Sequence, residues 1–101
     1  MKINDIINLL AQNKSVAILT PDDKELKLLR DRIILNSSNV KVIDDHLLEI
    51  NGSKLLLITP GTVYLSKYYD RILVEFPDSI PSFVFSRLPA MDILMVHSEI
   101  V

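Results

Sequence analysis

The chain has no cysteine, only two glycines and no long apolar run, and each absence closes off a class of function. Without cysteine there is no disulfide framework, no thiolate nucleophile and no Cys-ligated zinc, and a cytoplasmic setting is the simplest reading. The longest apolar stretches, such as Leu55 to Ile58, fall far short of the roughly 20 residues that span a bilayer. The N-terminus also lacks the charged-then-apolar form of a signal peptide, so a soluble protein away from membranes is expected. A net charge of −2 argues against a general binder of phosphate backbones, although it leaves room for a local basic patch. No G-x-x-x-x-G-K-[ST] occurs, so neither a backbone nest for phosphates nor the lysine that reaches them is encoded. No G-x-S-x-G or Ser-His-Asp order stands out either.

What is present is apolar surface. Hydrophobic residues make up 49% of the 101, most of them Ile, Leu and Val, which suits one α/β domain with a substantial core. Tyr69 to Pro81 is the stretch around which the chain is organised. Ile72, Leu73 and Val74 form an unbroken apolar run between polar Tyr69-Asp70-Arg71 and Pro77-Asp78, the pattern of a strand covered on both faces of a parallel sheet. Functional side chains in such sheets sit where strands end, here Glu75, Phe76 and Asp78.

Earlier in the chain, Ile3, Ile6, Ile7 and Leu10 recur at helical spacing and predict an amphipathic helix over 3–13. Ser15 to Thr20 reads as a short buried strand. Thr20 as N-cap, Pro21 at the first helical position and Asp23 in a capping-box-like place predict a second helix to about Leu35. Its core stripe is Leu26, Leu29 and Ile33, and Leu28 and Leu35 fall on the far side among Lys24, Asp31 and Arg32 as a small exposed apolar pair. Lys24, Lys27 and Arg30, with Lys14 just before β-structure, form a basic edge that can meet nucleic acid, but Glu25 and Asp31 interrupt it and a solvated helix face is favoured.

Asn36 to Asn39 is a polar turn and Val40, Val42 and Ile43 suggest a strand over 40–44. Asn51-Gly52, between two apolar segments, predicts a β-hairpin over 46–59 with a type I′ turn. Pro60-Gly61 ends it, and Thr62 is placed to cap a short turn or helix through Lys67. Between Pro81 and Pro89 a short crossover helix is expected, followed by a last strand over 92–97. The expected fold is thus a three-layer α/β domain with a mainly parallel sheet, strands near 15–20, 40–44, 71–76 and 92–97, plus the hairpin.

In this order the chain resembles part of the ATPase core of superfamily-two helicases and viral large terminases. Val16 to Pro21 followed by a helix is similar to the strand and loop that those families place after the P-loop helix. Ile50 to Ile58 looks like the terminase hairpin with its Asn-Gly turn, Asp70 to Phe76 like the Walker B strand, and Ile93 to Ser98 like the strand after it. The departures matter as much. No Walker A motif is present, helix 3–13 stands where the helix after a P-loop would be, and the Walker B positions are degenerate. Glu75 stands in place of the magnesium-associated aspartate, and Phe76 in place of the water-orienting glutamate. A phenylalanine can neither accept a proton nor position water. The resemblance implies a non-catalytic, cofactor-free module that binds an unidentified protein partner, of the kind a virus or mobile element uses as a regulator. Nucleic-acid binding along the second helix is the alternative.

Other groups have blander readings. His46 and His97 lie at separate strand ends with no carboxylate at ligand spacing, so no metal site is expected. Asp44-Asp45 suits a turn better than a cation corner. Tyr64, Tyr68 and Tyr69 suit packing beside the sheet better than base stacking. The sequons at Asn36 and Asn51 carry no meaning in a cytosolic protein. A small enzyme using Glu75 and Asp78 would need Glu75 buried in a cleft with a raised pKa. The last strand would be a sheet edge without proline or lysine, so a homodimer is expected through Ile93, Leu94, Met95 and Val96, with Leu28 and Leu35 as the other contact. One of Leu94 and Met95 should face inward, and Val96→Pro should remove an edge donor if that amide points outward.

Overall fold

A computed structural model describes residues 1–12, 15–62, 69–88, 93–97 and 99–101. Its elements in chain order are α1 (Ile3–Gln12), β1 (Ser15–Leu19), α2 (Asp23–Asn36), β2 (Val40–Val42), β3 (Leu47–Ile50), β4 (Ser53–Ile58), β5 (Arg71–Glu75), a 3₁₀ turn (Pro77–Ser79), α3 (Ser82–Phe85) and β6 (Ile93–Val96). The strands form one six-stranded sheet in the order β2-β3-β4-β1-β5-β6. The fold is α/β, as the alternation of periods predicts. β1 runs parallel to β4 and β5, and β5 parallel to β6.

The period-2 alternation of each parallel strand sends side chains to two cores. Val16, Ile18 and Leu73 join Ile3, Ile6, Leu10, Leu26, Leu29 and Ile33 on the face that carries α1 and α2. Ala17, Leu19, Ile72 and Val74 face the other way, against Ile80 and Val84 beside α3. The stripe Leu26, Leu29, Ile33 is buried, each side chain contributing about 1.5–3 kcal/mol through removal from water.

The hairpin forms as the Asn-Gly turn demands. Asn51 and Gly52 both take positive φ, 52° and 84°, and Ile50 pairs directly with Ser53. Beyond it the sheet departs from expectation, because β2 runs antiparallel to β3 and makes an outer edge with them. The short turn over residues 43–46, held by Asp44 Oδ1 accepting from the His46 and Leu47 N–H groups, returns the chain from β2 beside β3 without the crossover that a parallel neighbour requires.

Three local expectations are corrected. The N-cap of α2 is Asp22, whose carboxylate accepts from the Glu25 N–H at 2.9 Å, and not Thr20. Thr20 is fully buried; its N–H and hydroxyl donate to the Ile58 carbonyl at 2.8 and 3.2 Å, which extends the β1–β4 ladder by one residue. Phe76 lies outside β5, at φ 52°, and turns the chain into Pro77–Ser79; for a bulky residue this left-handed conformation costs about 1–2 kcal/mol. Third, Val96 is not an exposed edge residue. It is 5% exposed and belongs to the α1/α2 core, while Leu94 and Met95 are both about two-fifths exposed, at 40% and 41%, so neither faces inward fully. The expected crossover helix is a single turn, α3. Lys14, Tyr64, Lys67, Tyr68 and Asp92 lie outside the described residues.

Candidate functional site

In a parallel α/β sheet the natural ligand site is the crevice at the carboxyl ends of the strands. Here that edge carries Thr20 and Pro21 after β1, Thr59 after β4, Glu75 and Phe76 at the end of β5, and His97 after β6. A concavity of about 350 Å³ opens there between Pro21, Asp22, Glu25, Phe76 and Ser79, and Glu75 is not on its wall.

Glu75 is instead sealed beneath the chain's last residues. Its side chain follows Arg71 and Leu73 on the α1/α2 face, it is 1% exposed, and its Oε2 accepts from the Ile100 N–H at 3.2 Å. The segment 99–101 is fastened on both sides. Val101 N–H donates to the Met1 carbonyl at 3.1 Å and Ile3 N–H donates to the Val101 carbonyl at 2.7 Å. Arg32 donates to the Ile100 carbonyl and pairs with Glu99. Ile100 itself is fully buried in the core. Arg32, read from sequence as part of a solvated helix face, is therefore half-buried and ties α2 to this segment. Nothing in the sequence signals the arrangement, since a three-residue tertiary contact has no periodicity to detect.

Burial pushes the Glu75 carboxyl above its ordinary value. The Ile100 N–H opposes this by stabilising the anion, Glu25 adds to the rise, Arg32 opposes it and Glu99 adds to it. A carboxyl raised on folding contributes stability that is complete below the unfolded value, 4.5, and is lost as pH rises through the folded value. Glu75→Gln keeps an acceptor for Ile100 and removes the charge. The expected result is an unchanged melting temperature near about pH 4 and a higher one than wild type at about pH 7.5, followed by circular dichroism.

The edge is acidic. Asp22 is spent on capping α2, and Asp23 and Glu25 stand in that helix's first turn, where an anionic ligand would have to approach. Asp78, paired with Glu75 in the enzyme reading, is exposed beyond the Phe76 turn. The buried, raised Glu75 meets one requirement of that reading, but at 1% exposure it does not line the concavity at this edge.

The other expected residues scatter. On α2, Lys24 and Lys27 are exposed, while Arg30 is shared between Asp31 at 3.5 Å and Asp45 at 3.3 Å. Leu28 is 46% and Leu35 83% exposed on the same helix. Asp44 Oδ1 accepts from the His46 and Leu47 N–H groups at 2.7 and 2.9 Å, so it forms a turn. Tyr69 packs against the smaller core, which raises its phenol pKa. Among the described residues no cluster of three or more His, Cys, Asp or Glu is arranged to hold a metal ion, and no helix is long and apolar enough to cross a membrane. No family model and no curated protein matches the chain.

Proposed function

We propose that this chain is a non-catalytic α/β module that acts by binding protein. The observation that carries the reading is what the sheet's carboxyl edge offers: Glu75 is buried under Ile100, the N-terminus of α2 is capped by its own Asp22, and the concavity beside them is walled by the carboxylates Asp22 and Glu25. A nucleotide phosphate would need free N–H groups at that helix end, and it would meet Asp22, Asp23 and Glu25 instead. The sequence resembles ATPase cores but departs from them in lacking Walker A and carrying a degenerate Walker B at Glu75 and Phe76, which favours a module without that catalysis; a regulator of a virus or mobile element is the setting proposed for it. Exposed apolar side chains on two elements, Leu28 and Leu35 on α2 and Leu94 and Met95 on β6, supply surface for a partner. Calorimetric titration with magnesium and ATP should give no binding heat up to millimolar nucleotide. Micromolar binding, with hydrolysis abolished by Glu75→Gln, would overturn the reading.

A second reading, nucleic-acid binding along α2, draws on the exposure of Lys24 and Lys27. It is the weaker one, because Arg30 is already paired with two carboxylates. Filter binding across salt separates the two: affinity that falls steeply with salt and drops on Lys27→Glu supports nucleic acid, and absence of binding at low salt removes it.

A further inference from the structure

We infer that β6 is the partner-binding edge and that its occupant is the β6 strand of a second copy of this chain, paired antiparallel across a two-fold axis at Met95. This rests on the protein-binding reading and gives it a partner. The Val96 carbonyl accepts from the Phe76 N–H at 3.2 Å, and Val96 is in register with Glu75. In a strand the N–H and C=O of one residue point the same way and alternate between neighbours. Val96 and Leu94 therefore spend their backbone groups on β5, and those of Ile93, Met95 and His97 point to the open side. β6 ends the sheet, and among the described residues nothing pairs with that side.

The three outward residues are spaced symmetrically about Met95. A two-fold axis there pairs Met95 with its own copy and Ile93 with His97 of the partner, so each outward donor meets an acceptor. Side chains directly opposite in such a pair share a face. Leu94 then covers the copy's Val96, which is continuous with the α1/α2 core, and Met95 covers the copy's Met95 on the opposite face. Both Leu94 and Met95 are about two-fifths exposed in the single chain, and Ile93–Val96 contains no charge or proline to discourage pairing. An edge of four residues buries little area, so the association is expected at micromolar protein. Val96→Pro is not a clean probe, since that amide serves the β5–β6 ladder.

Met95→Lys and Met95→Glu test the pairing, because each places two like charges opposite one another while the side chain remains solvated in the single chain. Light scattering coupled to size exclusion should show a concentration-dependent dimer for wild type, a midpoint shifted upward by about tenfold or more for each variant alone, and a restored dimer when the two variants are mixed. Circular dichroism checks that both variants are folded. A wild type that stays monomeric at every concentration overturns the inference, as does a dimer indifferent to both charges or a mixture that fails to recover. None of these outcomes touches the nucleotide titration, so the non-catalytic reading stands or falls separately.

Discussion

Ile18→Ala is expected to lower the unfolding free energy by about 2–5 kcal/mol, the cost of removing a branched side chain from a site that cannot collapse around the gap. Ile18 is fully buried on β1, which pairs on both sides with β4 and β5, and its side chain meets the face covered by α1 and α2. Strands on both flanks hold the backbone in place, so little relaxation is available. Against a typical total of about 5–15 kcal/mol this loss leaves the chain marginal. Leu35→Ala on the exposed face of α2 should change stability by less than about 0.5 kcal/mol. Urea titration followed by circular dichroism reads both. Equal effects at the two positions would mean that the core does not lie where the strand alternation puts it.

Arg32→Ala is expected to cost about 1.5–3 kcal/mol, more than a surface arginine normally would. The guanidinium donates to the Ile100 carbonyl and to Glu99, and it stands near the buried Glu75, whose charge it offsets. Its loss leaves the Ile100 carbonyl without that donor and raises the Glu75 carboxyl further. The variant should therefore lose more stability at neutral pH than near about pH 4, where Glu75 is protonated in both states. Arg32→Lys, which keeps the charge but not the fork that serves two acceptors, should recover only part of the loss. A flat pH dependence of the difference would separate Arg32 from Glu75.

The parts of this fold that were legible in the sequence are those with a local cause. The period of Ile3, Ile6 and Leu10, the apolar runs of β1 and β5, and the Asn51-Gly52 turn each impose their element without help from distant residues. The α2 cap was legible only to within two residues, because Thr20 and Asp22 are both good caps. The choice between them is made by β4, whose Ile58 carbonyl takes the Thr20 hydroxyl. The direction of β2 was not legible, since three residues fit a parallel or an antiparallel edge equally well. At the carboxyl edge the sequence placed Glu75, Phe76 and Asp78 at the end of the central strand, and the structure puts Glu75 last in β5, Phe76 just after it and Asp78 in the 3₁₀ turn that follows. What it did not carry was the cover over Glu75, which depends on Arg32, Glu99, Ile100 and Met1 meeting across most of the chain's length.

The cover over Glu75 is tested most directly by carbon-13 NMR of the Glu75 side-chain carboxyl across pH, read together with the Ile100 amide. Closure predicts a single transition above the ordinary glutamate value of 4.5, with the Ile100 amide proton shifting at the same midpoint because its hydrogen bond changes as the acceptor ionises. A carboxyl that titrates at the ordinary value while the Ile100 amide stays unchanged would mean that Glu75 stands in solvent, free of the C-terminal segment, and would contradict the account.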